Sequence, residues 1–206
     1  MTRAVGTALA LVLLAATAGC RDWRDRVDPA RAAAEPEQVL LSDEPAITFD
    51  AKGHEVRLAP RASYRITGYA VETSTMLLDQ WDFALPMDLA LVWGPVADPA
   101  ALRHMKFHLS GRYVSLWVEP GGPPMPAVMS HVANHHLVPA SEEVGREMRR
   151  IRKGDLVRLR GKLVDLEIRD GGGNVVHRAR TSLSRDDVGS GACEQVWVES
   201  VEVDPP

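Results

Sequence analysis

The sequence predicts a mainly β domain with one or two helices, an α+β arrangement built on a small barrel of bent, OB-like strands. An antiparallel sandwich is the alternative. Three observations carry this expectation. Short runs from Ala46 onward alternate apolar and polar residues with period two. Clusters of turn residues separate them. One long run after Gly154 changes its apolar phase halfway along.

Ile47-Thr48-Phe49 reads as a short strand and Ala51-Lys52-Gly53 as a turn. Val56 and Leu58 flank Arg57 and give a second strand one face of which is apolar. Tyr64, Ile66 and Gly68 to Val71 suggest a third. Asp98 caps a short helix running toward Met105, with Pro99 in its first turn. Lys106 to Leu109 and Tyr113 to Val118 read as strands around a Ser110-Gly111 turn, and Gly121-Gly122-Pro123-Pro124 as a loop. Ser141 caps a second helix. Glu142 and Glu143 suit its positive end, and Arg149, Arg150, Arg152 and Lys153 its negative end. Gly154 closes it in a left-handed conformation.

The next strand is the most telling. Val157, Leu159 and Leu163 share one face, while Val164, Leu166 and Ile168 share the other. A phase change beside Gly161 implies a bulge or sharp coil, the device by which barrels bend strands to close. Gly171-Gly172-Gly173-Asn174 turns the chain into a strand from Val175 to Leu183, and Val196 to Val203 is the last strand. A long bent strand, a glycine turn, a second strand and a flanking helix have the outline of the OB type. That likeness of shape implies no ligand.

The chain divides into a signal peptide (1–19), a lipid-anchored linker (20–45) and a β-rich globular domain (46–206). Arg3 precedes an apolar run from Ala4 to Ala16, too short to span a bilayer, and Thr17-Ala18-Gly19-Cys20 follows. Ala18-Gly19-Cys20 resembles a lipobox, which makes Cys20 the expected lipid-attachment residue. Ala16-Thr17-Ala18 also fits ordinary cleavage after Ala18. Arg21 after the cysteine favours the periplasm-facing side of the outer membrane over the inner membrane. Arg21 to Gln38 is rich in Arg, Asp, Ala, Glu and Pro and reads as a solvated spacer. The lipid bilayer, reached through acylated Cys20, is the expected partner, together with an envelope protein.

Hydrophobic residues at 45% and charged residues at 25% are ordinary globular values. A net charge of -4 gives no electrostatic footprint for nucleic acid. The 20 arginines against 4 lysines reflect a GC-rich genome rather than recognition chemistry.

Four segments carry a resemblance: 88–95 (DLALVWGP), 131–140 (HVANHHLVPA), 154–157 (GDLV) with Gly161, and 182–194 (SLSRDDVGSGACE). Together they resemble a family of bacterial envelope proteins. In that family the second segment reads close to H-S-A-N-M-H-L-I-P-A, which His131, Asn134 and His136 match and Val132 and His135 do not. The last reads close to S-L-T-R-x-D-T-G-x-G-A-C-E, matched by Arg185, Asp187, Gly189, Gly191, Cys193 and Glu194. The likeness spans about His54 to Val203. It implies kinship and an envelope address, and it implies no activity.

Cys193 is the one cysteine left once Cys20 is lipidated. Cys-His catalysis requires His136 or His131 beside it, with Arg185 or loop amides holding an oxyanion. Such a set on a β-barrel is similar to a sortase in outline. Here, though, Arg185 precedes the cysteine and no arginine follows it, and Glu194 places a second negative charge beside any thiolate. The competing reading is a small buried cysteine packed under the 189–191 turn. Asn134 and Asp187 are loop or ligand candidates, with a purely structural turn as the alternative for Asp187.

Five of the seven histidines fall between His104 and His136. His104 and His108, and His131 and His135, are four apart, a zinc spacing on a helix. The strand pattern around His108 and the lack of a completing ligand argue against a metal, and no cofactor is expected. Trp81, Trp93, Trp117 and Trp197 read as core or rim. The leading expectation is a non-enzymatic binding or scaffolding lipoprotein of the envelope. The alternative is a Cys-His hydrolase or transpeptidase acting on peptide or cell-wall substrates.

Overall fold

The computed structural model describes residues 22–75, 79–184 and 192–205. The signal segment, Cys20, Arg185 and Asp187 lie outside the described residues. Among the described residues ten strands are formed: β1 (Glu37–Leu40), β2 (Ile47–Ala51), β3 (His54–Thr75), β4 (Met87–Val92), β5 (Met105–Ser110), β6 (Tyr113–Val118), β7 (Val132–Pro139), β8 (Leu156–Arg169), β9 (Val175–Ala179) and β10 (Glu194–Asp204). Three short helices accompany them: α1 (Pro99–Arg103), α2 (Met125–Ser130) and α3 (Glu142–Met148). The fold is mainly β with a large mixed sheet, as its sequence patterning predicts. No helix among the described residues is long and apolar enough to cross a membrane.

Strand pairing runs β3–β4–β7–β10–β8 and returns from β8 to β3, so five strands pair in a closed ring. Every pairing in the ring is antiparallel except β7–β10. A parallel pair needs a crossover. Here the chain passes through α3, β8 and β9 before β10 enters between β7 and β8.

Closure depends on two long bent strands. Val157, Leu159 and Leu163 of β8 lie in one core cluster with Tyr64, Ile66, Leu89, Leu91 and Leu137, while Val164, Leu166 and Ile168 lie in another with Val56 and Leu58. The phase change expected beside Gly161 therefore sends the two halves of β8 to different cores. β3 makes the same switch: Val56 and Leu58 precede a register shift at Pro60/Ala62, after which Ala62, Tyr64 and Ile66 face the first cluster. The two runs that sequence patterning separates are thus one strand of 22 residues. Proline, lacking an N–H, is tolerated because it sits at the irregularity.

The stretch expected as a solvated spacer is instead packed on the domain. β1 pairs with β3, Val27 and Ala32 are buried, and Trp23 packs against the same cluster. The Tyr69 hydroxyl donates to the Asp28 carbonyl and accepts from the Asp28 N–H, both at 3.0 Å. Glu35 accepts from the Trp93 indole at 2.9 Å. Composition hides this because the few apolar residues enter a pre-existing core while the charges find fixed partners. The described part of the folded unit therefore includes Trp23 to Leu40 as well as the residues from 46 onward.

α1 starts at Pro99 with Asp98 capping, and Ser141 caps α3 by accepting from the Val144 N–H, as expected. α3 is shorter than its charge pattern implies, ending at Met148. Gly154 is left-handed (φ +96°) but sits six residues later, where its N–H donates to the Ala70 carbonyl. The glycine-turn strand stops at Ala179, short of Leu183.

Gly161 is required sterically. A Cβ there would lie 1.9 Å from the Trp197 carbonyl oxygen, at the β8–β10 crossing where the register shifts between Val198 and Ser200. Backbone on both sides leaves nothing that can swing away. Gly161→Ala is expected to destabilise the domain by about 3 kcal/mol or to prevent folding. Thermal melts should show this, and an unchanged midpoint would contradict it.

Candidate functional site

β4 and β7 are cross-strand partners with Asp88 opposite His136, Leu89 opposite His135 and Ala90 opposite Asn134. Alternation sends Leu89, Ala133 and Leu137 into the ring's core cluster. Asp88, Asn134 and His136 therefore share the opposite face. On the other side of β7, β10 runs parallel with Gln195 beside His136 and Glu194 beside His135. Cys193 precedes Glu194 and so stands on the face of Asn134 and His136. Two strands that are neighbours only because of the crossover thus bring Cys193 to His136.

The imidazole Nδ1 of His136 donates to Asp88 Oδ1 at 2.8 Å, since a carboxylate can only accept. The Cys193 side chain shares a cleft wall with the imidazole and acts on it electrostatically. Asn134 Nδ2 donates to Cys193 Sγ at 3.7 Å and to the Arg112 carbonyl at 2.9 Å. Burial pulls the His136 imidazole down, but the bonds and charges of Asp88 and Cys193 outweigh it and push it up from 6.5 to about 9. A histidine braced by a carboxylate and sharing a cleft wall with a thiol has the layout of a nucleophile–base–orienter set.

Arg112 completes the set. β5 and β6 join through Gly111 and Arg112, both at positive φ (+55° and +68°), a two-residue turn matched to strand twist. Arginine at the second left-handed position is unusual, and its side chain explains it. Nη1 donates to Asp88 Oδ1 at 3.2 Å, and Nη2 donates to Asp79 Oδ1 at 2.7 Å and to the Leu85 carbonyl at 3.0 Å. The hydrogen bond from Arg112 leads the causes that hold the Asp79 carboxyl below its ordinary range. Asp88 has no exposed surface, and its Oδ2 has no partner among the described residues. Asn134 Oδ1, Arg112 Nε and Gln195 Oε1 are also buried without a partner. Such a concentration of unsatisfied polar atoms marks a functional site more often than a packing role.

Beside them lies a cleft of about 520 Å³ whose wall includes Arg112, His136, His177, Arg180, Cys193 and Gln195. Cys193 is half-buried, and the 189–191 turn lies outside the described residues. His177 stacks on Trp81 at 5.0 Å between ring centroids. Its burial, reinforced by the charge of Arg112, holds its imidazole below the ordinary range.

Of the residues expected at a site, the structure brings His136, Asn134 and Cys193 together. His131 is elsewhere: its Nε2 lies 2.9 Å from Glu35 Oε1 and its Nδ1 2.7 Å from the Ala127 carbonyl. His135 faces the ring interior, 3.0 Å from the Tyr64 hydroxyl. His104 ends α1, and His108 lies on the exposed face of β5. No three His, Cys, Asp or Glu among the described residues are placed to hold a metal. Asp88, Arg112 and Asp79 went unsuspected in the sequence. The one available signal was an acid interrupting an apolar run, 87–92, opposite the histidine-rich segment.

No protein-family model matches the chain, and neither does any curated protein or solved structure.

His136 is raised in the folded state, so its bonds stabilise the fold fully below about pH 6.5, and this contribution is lost as pH rises through about 9. The pH-dependent part is on the order of 3 kcal/mol. Denaturant unfolding of wild type and His136→Gln at a series of pH values should show a stability gap that narrows across this window. A gap constant with pH would contradict the assignment.

Proposed function

We propose that the domain is a thiol-dependent acyl-transfer enzyme, a hydrolase or transpeptidase acting on amide or ester substrates in the cell envelope. The observation that carries this reading is the hydrogen-bonded pair Asp88–His136 with Cys193 beside it in the wall of one open cleft. Five closed strands in the order β3–β4–β7–β10–β8, with a helix between the third and fourth, further support an OB-like barrel. Barrels of that type bind ligands on the second and third strands and the loops around them. β4 and β7 occupy those positions, and they carry Asp88, Asn134 and His136.

In this mechanism the neutral form of His136 takes the thiol proton, and Cys193 Sγ attacks the acyl carbon. The bond to the leaving group breaks as His136 returns the proton to it. Water or an amine then attacks the thioester, again through His136, and regenerates the thiol. Asp88 keeps Nδ1 occupied, so the other ring nitrogen serves the chemistry. Arg112 holds Asp88 in place. Gln195, on the face of Cys193 and in the cleft wall, is the described side-chain amide available to an oxyanion.

A non-enzymatic binding domain is the second reading, favoured by the position of the same cleft on the OB-like binding face. The two part on covalent chemistry. Incubation with p-nitrophenyl acetate should give a burst of nitrophenolate and an acetyl adduct on Cys193 by intact mass. Cys193→Ala should abolish the adduct, and His136→Gln should slow it on the order of 100-fold. Absence of any adduct in folded protein would leave the binding reading.

The membrane tether belongs to this proposal, resting on the signal-like segment that ends at Cys20. Full-length protein should partition into detergent with a diacylglycerol mass on Cys20. A mature chain beginning at Gly19 in the aqueous phase would overturn the tether.

A further inference from the structure

The cleft beside Cys193 is cationic. Arg112, Arg178, Arg180, His136 and His177 line it, and its described lining includes no Asp or Glu. Two of the arginines are already neutralised. Arg112 is shared between Asp79 and Asp88, and Arg178 lies 2.8 Å from Glu167. Arg180 is exposed and forms no ion pair among the described residues. Its neighbouring acid, Asp165, is spent: Oδ2 meets Arg61 at 3.2 Å and Oδ1 accepts the Thr181 N–H at 3.1 Å.

The backbone places Arg180 beside the thiol. The Ser182 N–H donates to the Cys193 carbonyl at 3.0 Å, and the Gln195 N–H donates to Thr181 Oγ1 at 3.1 Å. Arg180 therefore lies two residues, roughly 7 Å of extended chain, from the level of Cys193. It also borders the adjoining cleft of about 640 Å³ lined by Arg61, Thr181 and Ser182. An arginine without a carboxylate partner, beside a nucleophile and two donors already spent on their own acids, is a vacant half of an ion pair.

The geometry points to a carboxylate-bearing acyl substrate, its anion held by Arg180 while its acyl carbon meets Cys193. The inference rests on the thiol-nucleophile reading above and adds the substrate class. A planar guanidinium suits a carboxylate through two parallel hydrogen bonds.

Two alkylating probes of nearly equal size separate the claims: iodoacetate, an anion, and iodoacetamide, its neutral counterpart. Each forms an S–C bond at Cys193 and releases iodide. The measurement is the ratio of their rates on native, folded protein, divided by the same ratio on glutathione. A normalised ratio of about ten is expected, falling toward one in Arg180→Gln. Arg178→Gln, the same loss of charge at a paired residue of the same wall, should change it far less.

A normalised ratio near one with rapid iodoacetamide labelling would overturn the carboxylate site and leave the reactive thiol standing. Equal losses in the two variants would overturn the assignment to Arg180 in favour of a diffuse field. Failure of both probes on folded protein would overturn the nucleophile and the carboxylate site together. Because Arg180 is exposed, its variant should melt at the wild-type temperature, which separates recognition from folding.

Discussion

Asp88 is the group on which the rest of the site depends. A carboxylate with no exposed surface is costly to bury unless charged, hydrogen-bonded partners meet it. Here the partners come from two other elements. His136 comes from the neighbouring strand, and Arg112 reaches in from the turn of the β5–β6 hairpin. Through Arg112 the same carboxylate is tied to Asp79 and the Leu85 carbonyl, before β4. One buried charge thus fixes the hairpin over the sheet and orients the imidazole. Removing either partner would leave the other facing an unsatisfied group, so the set stands or falls as a unit.

The backbone underneath is arranged for the same end. Arg112 occupies a left-handed turn position that glycine or asparagine usually takes, at a modest conformational cost. That cost is met by three side-chain hydrogen bonds to buried or half-buried acceptors. Asn134 closes the arrangement, its Nδ2 donating both to the Arg112 carbonyl and to the Cys193 sulfur. The N-terminal stretch does comparable work on the far side of the sheet. There Glu35 holds Trp93 and His131 away from the cleft.

Much of the frame was legible in the sequence because its pattern has a simple geometric cause. The switch from Leu163 to Val164 beside Gly161 marks a strand whose halves face different cores, and the structure places them so. The turn and capping residues at Lys52, Gly53, Asp98 and Ser141 act locally, so they too can be read without a fold. β4 was not legible as a strand. All six of its residues are buried, so the alternation that announces a strand is missing. Its partner β7, buried nearly throughout, hides in the same way. Cys193 and His136 were legible as chemical types, whereas Asp88 and Arg112 acquire their roles only from pairings across 24 to 48 residues of chain. The spacer from Arg21 to Gln38 misled because composition averages over residues, while Val27 and Ala32 are buried one at a time.

The crossover that makes β7 and β10 parallel has a consequence in time as well as in space. Cys193 lies at the entrance to the last strand, and that strand must slot between β7 and β8 to reach its place. A chain emerging from N- to C-terminus therefore presents His136 and Asp88 long before it presents the thiol. Pairing over such separations is also slow to form. The thiol meets its base only once the ring has closed, so a partly folded or truncated chain carries a cysteine with no relay behind it. On the mechanism proposed above, histidine-assisted reactivity at Cys193 would therefore report completion of the entire fold.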